Sequence, residues 1–79
     1  MELYCTRPGC PRPLNLDANL DDPTVLKRVP QKYCTACGMP LILADRYVPS
    51  KLLGQGGFGA AFLARDRYSP TMRRCVVKL

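Results

Sequence analysis

The chain has 79 residues, a net charge of +6, five cysteines and no histidine. A chain this short buries little apolar surface and usually needs a staple such as a metal or disulfides. Without histidine, any metal site must be built from sulfur or oxygen. No run approaches the ~20 apolar residues of a membrane span, and no basic region followed by an apolar run marks a secretory leader. A reducing, cytoplasmic setting is therefore expected, in which paired cysteines more often hold metal than form disulfides.

The positive surplus is uneven. Residues 1–44 set five basic residues against Glu2, Asp17, Asp21 and Asp22, a net of +1. Four thiolates around one Zn²⁺ would bring that segment to about −1. Residues 45–79 set seven basic residues against Asp45 and Asp66, a net of +5. That excess reads either as a solvated face or as a patch for a nucleotide phosphate.

From the N-terminus, Cys5 and Cys10 bracket a turn containing Pro8-Gly9, and Cys34 and Cys37 bracket a shorter one followed by Gly38. The two segments are near-repeats. Tyr4-Cys5-Thr6 matches Tyr33-Cys34-Thr35, and Pro13-Leu14 follows Cys10 at the same offsets at which Pro40-Leu41 follows Cys37. Two such knuckles facing each other make a four-sulfur site, and tetrahedral sulfur suits structural Zn²⁺. A rubredoxin-type iron, a disulfide pair or unrelated buried cysteines are the competing readings. A Cys-x-x-Cys redox role would want a thioredoxin-like βαβ context, which is missing. Cys75 reads as core packing.

Between the knuckles, Asn15 to Asn19 and Asp21-Asp22-Pro23 are turn-rich. Val25 to Val29 and Leu41-Ile42-Leu43 predict two short strands, with no helix between the knuckles. A boundary is expected near Ala44–Asp45, giving a ribbon over 1–44 and a second segment over 45–79. In the second segment Tyr47 to Leu53, Ala60 to Asp66 and Arg73 to Leu79 predict a three-stranded β-meander. The fold class is thus small and mostly β.

Gly54-Gln55-Gly56-Gly57-Phe58-Gly59 joins the first two of these strands. Its Gly-x-Gly-x-x-Gly spacing is shared with dinucleotide folds, where the loop opens a helix; here Tyr68-Ser69-Pro70 would end any helix early. A Walker loop is excluded because Gly59 is not followed by Lys-Ser/Thr. Arg46-Tyr47, Leu52 to Gly59, Phe62 to Asp66 and Cys75-Val76-Val77-Lys78 stand in the order of a kinase first strand, phosphate loop, second strand and third-strand Val-Ala-Ile-Lys motif. Residues 46–79 therefore resemble the start of a serine/threonine protein kinase. With its cysteine prefix, the whole chain resembles the N-terminal part of the four-cysteine-prefix kinases of cyanobacteria.

That resemblance implies a four-cysteine zinc ribbon followed by an incomplete three-stranded antiparallel segment of a kinase N-lobe. It implies that the backbone around Gly54, Gln55, Gly56, Gly57 and Gly59 covers the phosphates of ATP, with Phe58 at the loop tip. Leu53, Ala61 and Val76 would line the adenine site, and Lys78 would hold the α- and β-phosphates. Ala61 stands where the family usually has valine, and Val76 where it usually has alanine. The implied cofactors are structural Zn²⁺ on Cys5, Cys10, Cys34 and Cys37, and ATP with Mg²⁺ for the whole kinase. The implied partners are proteins phosphorylated on Ser/Thr and a regulatory protein on the ribbon. The catalytic aspartate and magnesium ligands are absent, so the 79 residues alone are expected to be inactive, with 45–79 at best partly ordered. The competing function classes are a stand-alone ribbon binding nucleic acid or protein, and a cysteine redox or metal sensor. Nucleic acid is the less expected partner because residues 1–44 are nearly neutral.

Overall fold

In the computed structural model, which describes all residues from Met1 to Leu79, two small antiparallel sheets pack against each other. Strand β1 (Glu2–Tyr4) pairs with β2 (Leu14–Leu16) in the register Glu2↔Leu16, Leu3↔Asn15, Tyr4↔Leu14. A 3₁₀ turn over Ala18–Asp21 and a helix α1 (Pro23–Arg28) follow. Strands β3 (Tyr47–Gly56), β4 (Gly59–Asp66) and β5 (Arg74–Lys78) then form a meander in the order β3-β4-β5. This is the meander that the sequence predicts. No helix is long and apolar enough to cross a membrane.

Two expected strands of the ribbon fail for local reasons, and with the first fails the expectation of no helix between the knuckles. Val25 to Val29 is not a strand: residues 23–28 are helical. Asp22 is the N-cap, its Oδ1 accepting from the Thr24 N–H at 2.9 Å, Pro23 occupies the first turn, and Lys27 and Arg28 lie in the last. Those are helix start and stop signals, and they outweigh the β-branched residues. Leu41-Ile42-Leu43 is not a strand either, because its amides are satisfied one at a time by unrelated partners. Leu41 donates to the Lys32 carbonyl at 2.8 Å, Ile42 to Gln31 Oε1 at 2.8 Å, and Leu43 to the Tyr47 carbonyl at 2.7 Å. Both Leu41 and Ile42 point into the core, which an alternating strand would forbid.

One apolar cluster joins Leu3, Cys5, Leu20, Leu26, Cys34, Leu41 and Ile42 to Val48 of β3. Phe62 and Ala64 of β4 are also buried, and the Tyr4 and Phe62 ring centroids lie 6.0 Å apart. The ribbon thus covers one face of the meander. Residues 45–79, expected to be at best partly ordered, form all three strands, and the ribbon lies on one face of them.

Arg67 ties the two parts together. It is 1% exposed. Its Nη1 donates to the Leu26 and Val29 carbonyls at the C-terminal end of α1, and its Nε donates to the Asp45 carbonyl at 2.9 Å. Its Nη2 pairs with the Asp45 carboxylate. The chain turns the corner between ribbon and sheet through Ala44 (φ 52°) and Asp45 (φ 59°), two consecutive non-glycine residues in the left-handed region.

Candidate metal centre and glycine loop

Each knuckle is a backbone turn held by hydrogen bonds. In the first, the Cys5 N–H donates to the Pro13 carbonyl at 2.7 Å and the Cys10 N–H to the Arg7 carbonyl at 3.2 Å. In the second, the Cys34 N–H donates to Met39 O and the Gly38 N–H to Cys34 O, both at 2.8 Å. Gly9 and Gly38 adopt nearly the same left-handed torsion, φ 79° and 78°. Open space surrounds both, so torsion, not crowding, calls for glycine there. The pseudo-repeat carries one slip. Tyr4 pairs with Leu14 while Tyr33 bridges to Pro40, so Leu14 and Pro40 are the structural equivalents, one place off the Pro13/Pro40 match in the sequence.

The Sγ atoms of Cys5, Cys10, Cys34 and Cys37 all lie within 4.8 Å of one another and could hold a metal ion. Two separations between the knuckles are 3.5 Å for Cys5–Cys37 and 3.7 Å for Cys10–Cys34. A tetrahedral centre with metal–sulfur bonds of about 2.3 Å needs neighbouring sulfurs about 3.8 Å apart, so the quartet fits such an ion. The same distances far exceed the ~2.05 Å of a disulfide, and all five cysteines are free.

The four thiols are electrostatically unequal. Burial pushes Cys5 up to about 12, and burial also raises Cys10. Cys34 is held down at about 6, chiefly by the Asn15 side-chain amide, with help from the backbone N–H groups of Ala36 and Cys37. Cys37 is lowered by the Met39 backbone N–H. Ligation by a dication deprotonates a thiol outright, so the two raised thiols depend most on the ion.

Asn15 is a residue of this centre that sequence reasoning missed. Its Nδ2 donates to Pro13 O at 3.1 Å and to Cys34 Sγ at 3.5 Å. Its Oδ1 accepts from the Thr35 N–H and hydroxyl at 3.0 and 3.2 Å. One buried amide thus bolts the first knuckle to the second. The signal was Leu14-Asn15-Leu16, a strand pattern with its sign inverted: Asn15 is buried while Leu14 and Leu16 are exposed.

The glycine loop is the tip of the β3–β4 hairpin. Gly56 and Gly59 pair across a turn of Gly57-Phe58, and the Phe58 ring lies against Gly56. Gly59 sits at φ 103°, and a Cβ there would fall 2.2 Å from the Leu79 carbonyl oxygen. Strand β3 bulges at Ser50 and Leu53. Cross-strand partners share a sheet face. Leu52–Phe62 and Phe62–Val77 therefore look toward the ribbon, while Ala61–Lys78 and Leu63–Val76 look away from it. Leu53 and Val76 are half-exposed. The structure therefore places Ala61, Val76 and Lys78 on one open face, beside the Gly54–Gly59 hairpin end and opposite the four sulfurs. Cys75 is only partly buried, its thiol 3.7 Å from the Ala64 carbonyl.

Two features define the class of protein: a small β chain with a four-sulfur ribbon, packed on the back of a meander that carries a glycine loop and a third-strand lysine. Over 78 residues, 99% of its length, the chain is 65% identical to serine/threonine-protein kinase F of Synechocystis sp.. It is 41% identical over 75 residues to serine/threonine-protein kinase B of the same organism, and 55% identical over 40 residues to serine/threonine-protein kinase PknA of Nostoc sp.. It spans 16%, 11% and 7% of those three proteins. The chain is homologous to the N-terminal region of cyanobacterial serine/threonine protein kinases. No family model matches it, and no solved structure does.

Proposed function

We propose that this chain supplies the metal ribbon and the phosphate-loop strands of an ATP-dependent serine/threonine protein kinase. The observation that carries the reading is the 65% identity to kinase F across both the cysteine knuckles and the glycine loop. The open sheet face supports it: Ala61, Val76 and Lys78 gather where a nucleotide would lie beneath the hairpin of Gly54, Gln55, Gly56, Gly57, Phe58 and Gly59, with half-exposed Leu53 at the adjoining bulge. In this reading Lys78 holds the α- and β-phosphates and loop amides cover them. Phosphoryl transfer is catalysed mainly by positioning and electrostatic stabilisation, and this chain contributes the positioning strands only. Zn²⁺ on Cys5, Cys10, Cys34 and Cys37 is the metal assignment, and its chemistry there is structural, pinning one knuckle to the other. The ribbon's task is to cover the back of the sheet and to offer its outer surface for regulation or protein contact.

Lys78→Met, made in the kinase that carries this segment, tests the assignment. Phosphotransfer to Ser/Thr substrates is expected to vanish while bound zinc stays at one per chain. Retained phosphotransfer would overturn the role of Lys78. Bound metal that does not respond to Cys→Ser exchange at the four positions would overturn the metal site.

A further inference from the structure

Thr6 sits between the candidate ligand Cys5 and Arg7 on the first knuckle. It is 8% exposed, and its hydroxyl is the buried side-chain polar atom left without a hydrogen-bond partner. Leaving a buried hydroxyl unpaired is costly, so such an atom calls for an explanation. Thr6 lines a groove of about 580 Å³ whose other walls are Pro8 and Met39 from the knuckles, Gln55, Gly56, Gly59 and Ala60 from the glycine hairpin, and Leu79. Thr6 and Gln55 also share a second groove, of about 280 Å³, on the same side of the sheet.

The register gives Gln55 its direction. It pairs with Ala60, and Ala60 shares its face of the strand with Phe62, the residue that meets Tyr4 of the ribbon. The Gln55 side chain therefore leaves the hairpin on its ribbon side, not toward the open face that holds Lys78. A carboxamide has both donors and an acceptor to offer a hydroxyl.

We propose that Thr6 and Gln55 are positioning residues for the glycine loop: the Thr6 hydroxyl takes the Gln55 carboxamide as its partner and so fixes the hairpin tip to the first metal knuckle. The consequence rests on the kinase reading above, since it makes the metal knuckle a back support for the loop that covers the phosphates. The latch itself does not depend on a nucleotide. It joins two parts of this chain that are 49 residues apart, from position 6 to position 55.

The test uses the zinc-loaded chain, with amide hydrogen exchange read residue by residue and zinc content measured alongside. Thr6→Val removes the hydroxyl at nearly constant shape, Thr6→Ser keeps it, and Gln55→Ala removes the partner from the loop side without approaching the cysteines. Thr6→Val and Gln55→Ala are each expected to speed exchange at Gly57 to Ala60 about five-fold, as expected for one lost hydrogen bond. The double variant should be no faster than either single one, and Thr6→Ser should behave as wild type, all at one zinc per chain. If Gln55→Ala leaves loop exchange unchanged, or if the two effects simply multiply in the double variant, the latch is wrong. A parallel magnesium-ATP titration of the kinase that carries this segment separates the two readings. Amide shifts absent at 53–61 and 76–78 would refute the nucleotide site and leave the latch standing on the exchange data.

Discussion

Arg67→Ala should be the most damaging single change away from the cysteines. The side chain is 1% exposed and donates to three backbone carbonyls, those of Leu26, Val29 and Asp45. Truncation strands all three acceptors. The Leu26 carbonyl contact is fully buried and the other two partly so. At about 1–3 kcal/mol for a buried orphan and about 1 kcal/mol for each partly buried one, the loss comes to about 3–5 kcal/mol. The ion pair adds little, because the Asp45 side chain is 72% exposed and a pair with one partner in solvent contributes under ~1 kcal/mol. A domain of this size has about 4–12 kcal/mol to lose, so Arg67→Ala should leave it barely folded. The assay is urea denaturation followed by far-UV circular dichroism at a fixed excess of zinc, since metal binding shifts apparent stability by mass action. Arg67→Lys should recover only part of the loss, having a point charge in place of the planar fork. Asp45→Asn should cost under ~1 kcal/mol. An Arg67→Ala chain within about 1 kcal/mol of wild type would refute the argument. So would an Asp45→Asn chain as unstable as Arg67→Ala, which would put the stabilisation in the ion pair and not in the carbonyls.

Three further outcomes follow from the same geometry. Asn15→Leu should weaken zinc binding about 10- to 100-fold, the usual cost of losing an outer-shell partner; competition with a chromophoric chelator reads it, and unchanged affinity would count against the Asn15 bolt. Gly59→Ala places a Cβ against Leu79 O at a torsion that L-residues avoid; it should cost about 1–3 kcal/mol and break the reciprocal Ala60–Leu79 bonds, seen as lost amide protection at those two residues. Arg46 beside Asp66 holds that carboxyl below its ordinary range. A depressed folded pKa lends stability that is complete above the unfolded value of about 4 and is lost as pH falls through the folded one. The stability gap between wild type and Asp66→Asn should therefore be full near neutrality and close below pH ~4.

What the sequence disclosed was whatever its chemistry forces into a local pattern. The cysteine spacing placed the knuckles because two sulfurs on one turn need a short spacer, and glycine spacing with alternation placed the meander and its loop. The helix at Pro23–Arg28 was also written locally, in Asp22-Pro23 and Lys27-Arg28, but six residues with one buried position, Leu26, give no helical period to read. Thr6 and Arg67 could not be found this way, and Asn15 showed only as the polar centre of Leu14-Asn15-Leu16. Each matters through partners far along the chain: Thr35 for Asn15, the glycine hairpin for Thr6, and Leu26 for Arg67. Nothing in a window of sequence around a residue announces a contact 20 or 41 positions away. The same holds for the packing of ribbon on sheet, which supplied the order that short strands alone did not promise.

The corner at Ala44-Asp45 has a mechanical meaning. Two successive residues with side chains in left-handed torsions cost about 1–2 kcal/mol each, a cost that glycine avoids. Here the strained peptide is gripped from inside by Arg67, through both the Asp45 carbonyl and its carboxylate. Such a junction behaves as a bracket and not as a tether. Force or displacement applied to the ribbon reaches the first strand of the sheet at Val48, only three residues on from Asp45, with no slack to absorb it. A partner that grasped the ribbon would move the glycine hairpin with it.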